Sequence, residues 1–312
     1  MSLCLVTGGA GFIGSHVVRG LLARGRRVRV LDNFSTGHRA NLAEVESDIE
    51  LVAGDIRDAE ATRRCTAGTE AVFHLAARAS VPRSVAEPAE ANDVNINGTL
   101  NVLLAARDAG TRRFIYSASS SAYGETPTLP KHEAMVPQPL SPYAVGKLTG
   151  EHYCACFAHC YGLQSISLRY FNVFGPRQDP KSDYAAVIPA FMARMLKGQP
   201  PIVFGDGEQS RDFCYVDNVV NANLAALDAN ALAGEVVNIA CGERTTLNEI
   251  ITLINRALGT DIAAEYQPPR VGDVRHSLAA LDEARRVIRY EPRIFFAEGL
   301  ERSLDWYRRN LT

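Results

Sequence analysis

The stretch LCLVTGGAGFIG, residues 3–14, joins a short apolar run to three evenly spaced glycines. The run Leu3 to Thr7 predicts a buried β-strand, and Ser15 to Arg24 predicts a helix after the glycines. Gly8, Gly11 and Gly14 therefore fall in a tight turn between a strand and the amino end of a helix. Such a turn lets the backbone approach a pyrophosphate, and the free N–H groups of the helix end attract that anion.

A carboxylate ends the next predicted strand. Val28 to Leu31 reads as a second buried strand, and Asp32 follows it, 18 residues after Gly14. A carboxylate in that place can accept hydrogen bonds from the hydroxyl groups of an adenosine ribose, and it repels a 2′-phosphate. The sequence therefore predicts NAD rather than NADP as the cofactor.

Apolar runs and helical patterns alternate along the first half of the chain. This alternation predicts an α/β fold, a Rossmann-type doubly wound parallel sheet with helices on both faces. After about residue 170 prolines and loops become more frequent. We expect an NAD-binding domain over 1–170, to which about 216–240 returns, and a smaller C-terminal domain over 171–312 that mainly binds the substrate. The further predicted strands are Ile49 to Val52, Ala71 to Leu75, Phe114 to Ser117 and Ser165 to Arg169, and the clearest further helices are Thr99 to Ala109 and Tyr143 to Tyr161.

Length, composition and charge exclude several classes of protein. The 312 residues are 46% hydrophobic and carry a formal net charge of -2, so the chain can build a large core and has no global basic field for nucleic acid. No apolar run reaches the roughly 18–20 residues that cross a bilayer. The segment Met1 to Val6 enters the glycine turn with no basic stretch before it, so we expect no signal peptide, no membrane partner and a cytoplasmic location.

The seven cysteines do not suggest a disulfide framework, because their number is odd and small for this length. Cys154, Cys156 and Cys160 are spaced like a metal-binding box. However, they fall in one predicted helix, where residues two apart face different directions. We expect core or half-buried thiols and no metal site.

A tyrosine and a lysine four residues apart form the second chemical pattern. Tyr143 and Lys147 share one helix face, and Ser141 can cap that helix just before Pro142. We expect the lysine ammonium, together with a positive nicotinamide, to lower the pKa of the phenol, so that the tyrosine can act as a base. The serines of residues 117–121 follow a predicted strand, and serine, phenol and ammonium together indicate hydride transfer.

The motifs taken together resemble the extended short-chain dehydrogenase/reductase superfamily and, more narrowly, the UDP-sugar 4-epimerases. The resemblance covers nearly the whole chain. The motifs that carry it are TGGAGFIG at 7–14, HLAA at 74–77, NINGT at 95–99, SxxxxxYG at 117–124, YAVGK at 143–147, RYFNVFGP at 169–176, GDGEQSRDFCYVDNV at 205–219 and RVGDVRHS at 270–277.

The resemblance implies a role for each matching residue. The implied catalytic triad is Ser119, Tyr143 and Lys147. The residues implied to bind NAD, or to support its contacts, are Gly8, Gly11, Phe12, Ile13, Gly14, Asp32, Asn33, Asp55, Ile56, Leu75, Ala76, Ala77, Asn95, Ser117, Tyr143 and Lys147. The residues implied to bind the UDP-sugar are Ser80, Ser84, Ser119, Ser120, Tyr143, Asn172, Val187, Arg211, Arg270, Asp273 and Ser277.

Some of these positions have a second interpretation from the residues alone. Asp55 and Ile56 are placed to touch the adenine, but they equally fit a strand-end turn with Gly54. Arg211 and Arg270 would face the diphosphate, where paired guanidinium groups bind well, but they equally fit surface salt bridges.

Ser120 and Ser121 separate this chain from relatives with other chemistry. The sugar 4,6-dehydratases carry an Asp-Glu pair at these two places, and the UDP-glucuronate decarboxylases carry a glutamate at the second. Serines cannot supply that acid and base. The remaining chemistry is oxidation and re-reduction at C4 of the sugar, with NAD regenerated in each cycle.

Ser277 occupies the position that, in the family, forms the wall beside C2 of the sugar. A small residue there admits an N-acetyl group, so the resemblance implies UDP-GlcNAc/UDP-GalNAc as substrates, with UDP-glucose/UDP-galactose accepted as well. The alternatives are an epimerase for the plain hexoses only, a UDP-glucuronate 4-epimerase, a one-way reductase or dehydrogenase, and a silent NAD-binding protein. The resemblance also implies a homodimer built on the two helices at 99–109 and 143–161.

Overall fold

The structure, a computed structural model, describes residues 2–180, 186–269 and 275–311. The strands, in chain order, are β1 (Leu3–Thr7), β2 (Arg27–Asp32), β3 (Ile49–Ala53), β4 (Ala71–His74), β5 (Arg113–Ser119), β6 (Gln164–Tyr170), β7 (Val173–Phe174), β8 (Ile202–Phe204), β9 (Ser210–Arg211), β10 (Cys214–Tyr215), β11 (Glu235–Ile239), β12 (Thr245–Thr246) and β13 (Glu265–Gln267). The α-helices are α1 (Phe12–Ala23), α2 (Ala59–Thr66), α3 (Val81–Ala86), α4 (Pro88–Asn92), α5 (Thr99–Asp108), α6 (Pro142–Tyr161), α7 (Val187–Met195), α8 (Val216–Asp228), α9 (Leu247–Leu258), α10 (Asp282–Ile288) and α11 (Phe296–Leu311). A π-helical turn, Asp93–Gly98, joins α4 to α5.

The central element is a seven-stranded sheet in the order β11-β6-β5-β4-β1-β2-β3, in which every pairing is parallel. All residues of β1 and β4 are buried, because helices cover both faces of the sheet. The chain moves outward from β1 in one direction and from β4 in the other. This arrangement places a crevice at the carboxyl ends of β1 and β4, where doubly wound sheets bind ligands. The predicted fold class is confirmed.

Helices pack tightly on the two faces of the sheet. On one face, α1 packs against α8. On the other face, α6 lies on β5 so closely that a Cβ added to Gly150 would lie 2.2 Å from the Tyr116 hydroxyl. Glycine is therefore required at that point of α6, and the helix that carries Tyr143 and Lys147 is fixed against the strand that ends at Ser119.

The boundaries of α6 follow the local sequence. Ser141 caps the amino end, where its hydroxyl accepts a hydrogen bond from the Ala144 N–H at 3.2 Å, and Pro142 is the first helical residue. Gly162 ends the helix in the left-handed region, with φ of 69°. The predicted cap of this helix is confirmed.

A separate apolar cluster lies in the second half of the chain. It is formed by α7, α9 and α11 around Phe174, Phe213 and Phe296, whose rings lie 5.2 to 6.2 Å apart. In the same half of the chain, β11 joins the main sheet beside β6. The domain boundaries that we expect from the sequence stay a prediction. Among the described residues, no helix is long and apolar enough to span a bilayer.

Candidate active site

A cleft of about 1370 Å³ lies at the carboxyl ends of the sheet strands. It is larger than the roughly 300–1,000 Å³ of an ordinary ligand site, so it can hold a cofactor and a substrate side by side. The residues predicted from the sequence that line it are Gly8, Gly11, Phe12, Ile13, Gly14, Asp32, Asn33, Asp55, Ile56, Leu75, Ala76, Ala77, Ser80, Ser117, Ser119, Ser120, Tyr143, Lys147, Asn172, Arg211 and Ser277.

The glycine turn forms one end of this cleft. The Gly8 N–H donates to the Leu31 carbonyl at 2.8 Å, and Gly11 is the residue before α1. A Cβ added to Gly14 would lie 2.1 Å from the Gly8 carbonyl oxygen. No other residue fits there, and the first turn of α1 keeps its N–H groups open toward the cleft, as a pyrophosphate site needs.

Asp32 lies at the end of β2 and is 7% exposed. Its two carboxylate oxygens accept hydrogen bonds from the backbone N–H groups of Ala10 and Phe34, at 2.9 and 2.8 Å. Burial raises the pKa of this carboxyl, and the two N–H donors act in the opposite direction. The lone pairs that remain can accept ribose hydroxyl groups, so the turn and this carboxylate fit NAD.

Asp55 is held by neighbouring side chains. Asn33 donates to its carboxylate at 2.8 Å, and the Arg57 guanidinium binds the same group at 2.8 Å. The Arg57 hydrogen bond is the main reason that the pKa of Asp55 falls to about 2. Asp55 is thus a fixed, ionised group on the cleft wall.

Tyr143 and Ser119 face each other at the centre of the cleft. Burial raises the pKa of Tyr143, and a hydrogen bond with the Ser119 side chain acts in the opposite direction. The Ser119 oxygen also accepts hydrogen bonds from the hydroxyl and the N–H of Ser121, at 2.9 and 3.2 Å. Burial therefore dominates in the protein alone, and the lower phenol pKa that we expect from Lys147 together with a positive nicotinamide stays a prediction.

Lys147 is 2% exposed and donates from Nζ to the Ser117 carbonyl at 2.7 Å. Its Nζ also lies 5.0 Å from the centre of the Tyr116 ring. Burial lowers the pKa of Lys147 to about 8, and the Glu151 carboxylate one turn along α6 partly offsets that. The ammonium is fixed by the end of β5 and by its own helix.

Asn172 and Ser277 meet on the opposite wall. The Asn172 amide donates to the Ser277 hydroxyl at 3.2 Å and to the Asp212 carbonyl at 3.0 Å. Arg211 is held nearby, because its guanidinium donates to the carbonyl oxygens of Ser210 and Arg275, both at 3.0 Å. The predicted residues Arg270 and Asp273 lie outside the described residues.

Two predicted site residues, Ser84 and Asn95, are buried behind the cleft wall, and a third, Val187, is half-buried. Ser84 is fully buried, and its hydroxyl accepts a hydrogen bond from the Tyr143 N–H at 3.1 Å. The Asn95 side-chain amide accepts a hydrogen bond from the Arg78 N–H at 2.8 Å and donates one to the Arg78 carbonyl at 3.2 Å. Val187 begins α7 and packs against the second apolar cluster. The expected direct contact of Ser84 with the sugar is therefore corrected, Asn95 is placed as a support of the wall, and the contact of Val187, which follows the cleft residue Ala186, stays a prediction.

Arg78 is a cleft residue that the sequence reasoning missed. It is 9% exposed, and its guanidinium binds the carboxylates of Glu87 and Glu90 at 2.6 and 2.8 Å. These three residues line the cleft together. The signal was available, because the arginine directly follows the HLAA motif, and a charge at the end of a buried strand needs partners.

The cysteines divide into two groups. Cys154 is buried in the core, as expected, but Cys156 and Cys160 are exposed, with their sulfur atoms 3.9 Å apart. The expectation of a core or half-buried thiol is thus wrong for these two. Within the described ranges, no group of three or more His, Cys, Asp or Glu side chains could hold a metal ion.

Comparison with known proteins agrees with this geometry. A sequence profile of the NAD dependent epimerase/dehydratase family matches residues 4–240. The UDP-glucose 4-epimerase of Mycolicibacterium smegmatis is 40% identical over 308 residues, which cover 97% of this chain and 98% of that protein.

Solved structures give the same result. A UDP-N-acetylglucosamine 4-epimerase from Methanobrevibacter ruminantium, in complex with UDP-N-acetylmuramic acid, has 40% identity and a TM-score of 0.94, and the match covers 99% of this chain and 98% of that one. A UDP-glucose 4-epimerase from Thermotoga maritima, with UDP-glucose, has 42% identity and a TM-score of 0.94, with 99% and 100% covered. The resemblance predicted from the motifs is confirmed, and this chain belongs to the NAD-dependent epimerase/dehydratase family.

Proposed function

We propose that this protein interconverts the two C4 epimers of a UDP-hexose and uses NAD as a tightly bound cofactor that is regenerated in each cycle. One observation carries the proposal. Tyr143 and Ser119 line the same cleft as the glycine turn and Asp32, together with the buried Lys147. A base, a hydrogen-bond donor and a cation therefore surround the place where a nicotinamide ring and a sugar can meet.

Each side chain has a defined task in this scheme. The Tyr143 phenolate, which the Lys147 ammonium and a positive nicotinamide would favour against the effect of burial, accepts the proton of the sugar 4-hydroxyl, and Ser119 donates a hydrogen bond to the 4-oxygen. Lys147 keeps a positive charge near the phenol and is placed to hold the nicotinamide ribose. NAD, which the glycine turn and Asp32 would hold, would supply the reversible hydride acceptor that oxidation and re-reduction at C4 require.

Ser120 and Ser121 limit the reaction to this exchange. Both line the cleft beside Ser119, and the Ser121 hydroxyl is directed to the Ser119 oxygen. Neither serine can protonate a leaving hydroxyl or remove a C5 proton as a carboxyl group would. The 4-keto sugar is thus re-reduced without loss of water.

The wall at Ser277 supports acceptance of N-acetylated sugars. Its small side chain lines the cleft, and its hydroxyl accepts a hydrogen bond from the Asn172 amide. We propose UDP-GlcNAc/UDP-GalNAc as substrates and expect UDP-glucose/UDP-galactose to react as well. The two solved structures described above contain a UDP-N-acetylated sugar and UDP-glucose, respectively, so both sugar types occur among the relatives.

Product analysis with UDP-GlcNAc, UDP-glucose and UDP-glucuronate, each without added NAD, tests the proposal. We expect the C4 epimer from the first two and none from the third. Turnover with UDP-glucose alone would support the proposed reaction but contradict the proposed N-acetylated substrate. Turnover that needs stoichiometric nicotinamide would favour the one-way reductase, and no turnover at all would favour a silent NAD-binding protein.

We retain three further proposals from the sequence. The chain forms a homodimer through α5 and α6, and exposed Val145 on α6, with half-buried Leu100 and Leu104 on α5, supports this.

Residues 1–170, joined by about 216–240, hold NAD, and the rest mainly holds the UDP-sugar. The location is the cytoplasm, which the free state of all seven cysteines supports. Light scattering at micromolar concentration tests the dimer, and a monomeric mass would contradict it.

A further inference from the structure

His74, the last residue of β4, is fully buried and hydrogen-bonded on both ring nitrogens. Its Nδ1 lies 2.7 Å from the Thr7 hydroxyl at the end of β1, and its Nε2 lies 2.9 Å from the Thr99 hydroxyl at the start of α5. The ring stacks on Tyr116, with 5.8 Å between centroids. One side chain thus connects three elements below the cleft.

The hydrogen-bond partners determine which nitrogen carries the proton. The Thr99 hydroxyl donates its proton to the Asn95 carbonyl at 2.8 Å, so it can only accept from the histidine. The Thr7 hydroxyl accepts the Ala76 N–H at 3.3 Å, so its own proton is free to go to Nδ1. His74 is therefore the neutral Nε2–H tautomer.

This arrangement pins the segment 75–78, which lines the cleft, at two points. Thr7 holds the Ala76 N–H directly. On the other side, the Thr99 hydroxyl donates to the backbone carbonyl of Asn95. The Asn95 side-chain amide in turn accepts a hydrogen bond from the Arg78 N–H and donates one to the Arg78 carbonyl. The fit to the glycine turn is tight, because a Cβ added to Gly8 would lie 2.7 Å from the Ala76 nitrogen.

We propose that neutral His74, as the Nε2–H tautomer, is a positioning residue that fixes the 75–78 wall against the glycine turn and thereby sets the affinity for NAD. A second ring proton would leave the Thr7 proton without its acceptor. The groups that face the ring are Thr7 from β1, Tyr116 and Phe114 from β5, Thr99 from α5 and the Lys147 ammonium from α6. Of these only Lys147 is charged, and its charge also opposes protonation of the ring.

The tautomer can be measured on the wild-type protein. In a ¹⁵N-histidine-labelled sample, long-range ¹⁵N–¹H correlations distinguish the two neutral forms, and His74→Phe assigns the signal. We expect the Nε2–H pattern, unchanged from pH 8 to pH 5.5. An Nδ1–H pattern, or a titration near the ordinary histidine pKa, would overturn the proposal.

The effect on the cofactor is measured with isosteric variants. Thr7→Val and Thr99→Val each remove one partner of His74, and we expect NAD to bind roughly tenfold more weakly in each. At saturating NAD, kcat and the KM for the sugar nucleotide should stay within about twofold of wild type, which a general loss of structure would not produce.

Thr66→Val is the matched control. Thr66 is also fully buried, but its hydroxyl donates to carbonyl groups of its own helix, α2, and lies on no route to the 75–78 wall among the described residues. It should leave NAD affinity unchanged. Equal weakening in this control, or unchanged NAD affinity in folded Thr7→Val and Thr99→Val, would overturn the inference. This inference rests on the proposed binding of NAD, and the two can fail separately. If the wild-type protein does not bind NAD, the proposed function is contradicted. If it binds NAD but the threonine variants bind it equally well, only the role of His74 is contradicted.

Discussion

The ammonium nitrogen of Lys147 lies 2.7 Å from the backbone carbonyl oxygen of Ser117. This hydrogen bond joins the second turn of α6 to the carboxyl end of β5, two residues before Ser119. Because Tyr143 lies one turn earlier on α6, the same contact fixes the tyrosine relative to the serine. The catalytic geometry that we propose therefore depends on how α6 seats on β5.

Replacement of Lys147 by Met should stabilise the protein at neutral pH and abolish turnover. Burial lowers the pKa of this lysine from 10.5 to about 8. Charging the buried group costs roughly 3 kcal/mol, since each pKa unit is worth about 1.4 kcal/mol. The unfolded chain binds its proton more tightly, so the cost is complete below pH 8 and disappears as the pH rises toward the unfolded pKa of about 10.4.

Thermal unfolding of NAD-free protein checks this. Lys147→Met should melt above wild type at pH 7, and the two should converge near pH 10.5. A variant that is less stable than wild type at pH 7 would show that the ammonium is not under strain in the folded state.

Replacement of Tyr143 by Phe keeps the ring and removes the ionisable oxygen. We expect NAD to stay bound and kcat to fall by roughly 10²–10⁴, the usual contribution of a general base. Ser119→Ala should cost less, because it removes a hydrogen bond but not the proton acceptor. Steady-state rates with bound NAD quantified by absorbance measure both, and near-normal turnover in Tyr143→Phe would refute the role of the phenol.

Ser84→Ala and Ser80→Ala should differ in their effect on the KM for the sugar nucleotide, although both remove a hydroxyl that accepts a backbone N–H. The Ser84 hydroxyl accepts the Tyr143 N–H, so its loss should lower the free energy of unfolding by about 1–2 kcal/mol and leave the sugar nucleotide KM unchanged. Ser80 lines the cleft, so its loss should raise that KM. Denaturant unfolding measures the stability of both variants, and initial rates measure their KM for the sugar nucleotide. A raised KM in Ser84→Ala but not in Ser80→Ala would contradict the positions of these two serines relative to the cleft.

Ser277→Tyr should fill the space beside the sugar and remove activity on UDP-GlcNAc, while activity on UDP-glucose survives. Ser277→Ala is the control for size, because it loses the hydrogen bond to Asn172 but leaves the space open. Both activities should persist in the alanine variant. Full N-acetyl activity in the tyrosine variant would mean that this wall does not limit the C2 substituent.

Local patterns predicted the fold and the presence of the glycine turn and Asp32 in the cleft. The glycine turn and Asp32 are decided by backbone requirements and by the end of one strand, so short sequence windows contain the information. The cap at Ser141 is local in the same way.

Side chains whose direction depends on tertiary packing were harder to predict. Ser80 and Ser84 lie four residues apart, yet the first lines the cleft and the second turns toward the start of α6. Only the packing of α3 against α6 separates them. The sequence did not reveal how strongly burial raises the pKa of Tyr143, because the depth of burial follows only from the folded protein.

The reversible hydride transfer at C4 is the central claim, and isotope retention tests it most directly. A UDP-hexose with deuterium at C4 is converted by the purified protein without added NAD, and the product is analysed by mass spectrometry and NMR. We predict that the epimer keeps its deuterium at C4, because the hydride goes to bound NAD and returns to the opposite face of the same sugar. Loss of the deuterium to solvent, or dependence of turnover on added nicotinamide, would contradict the account.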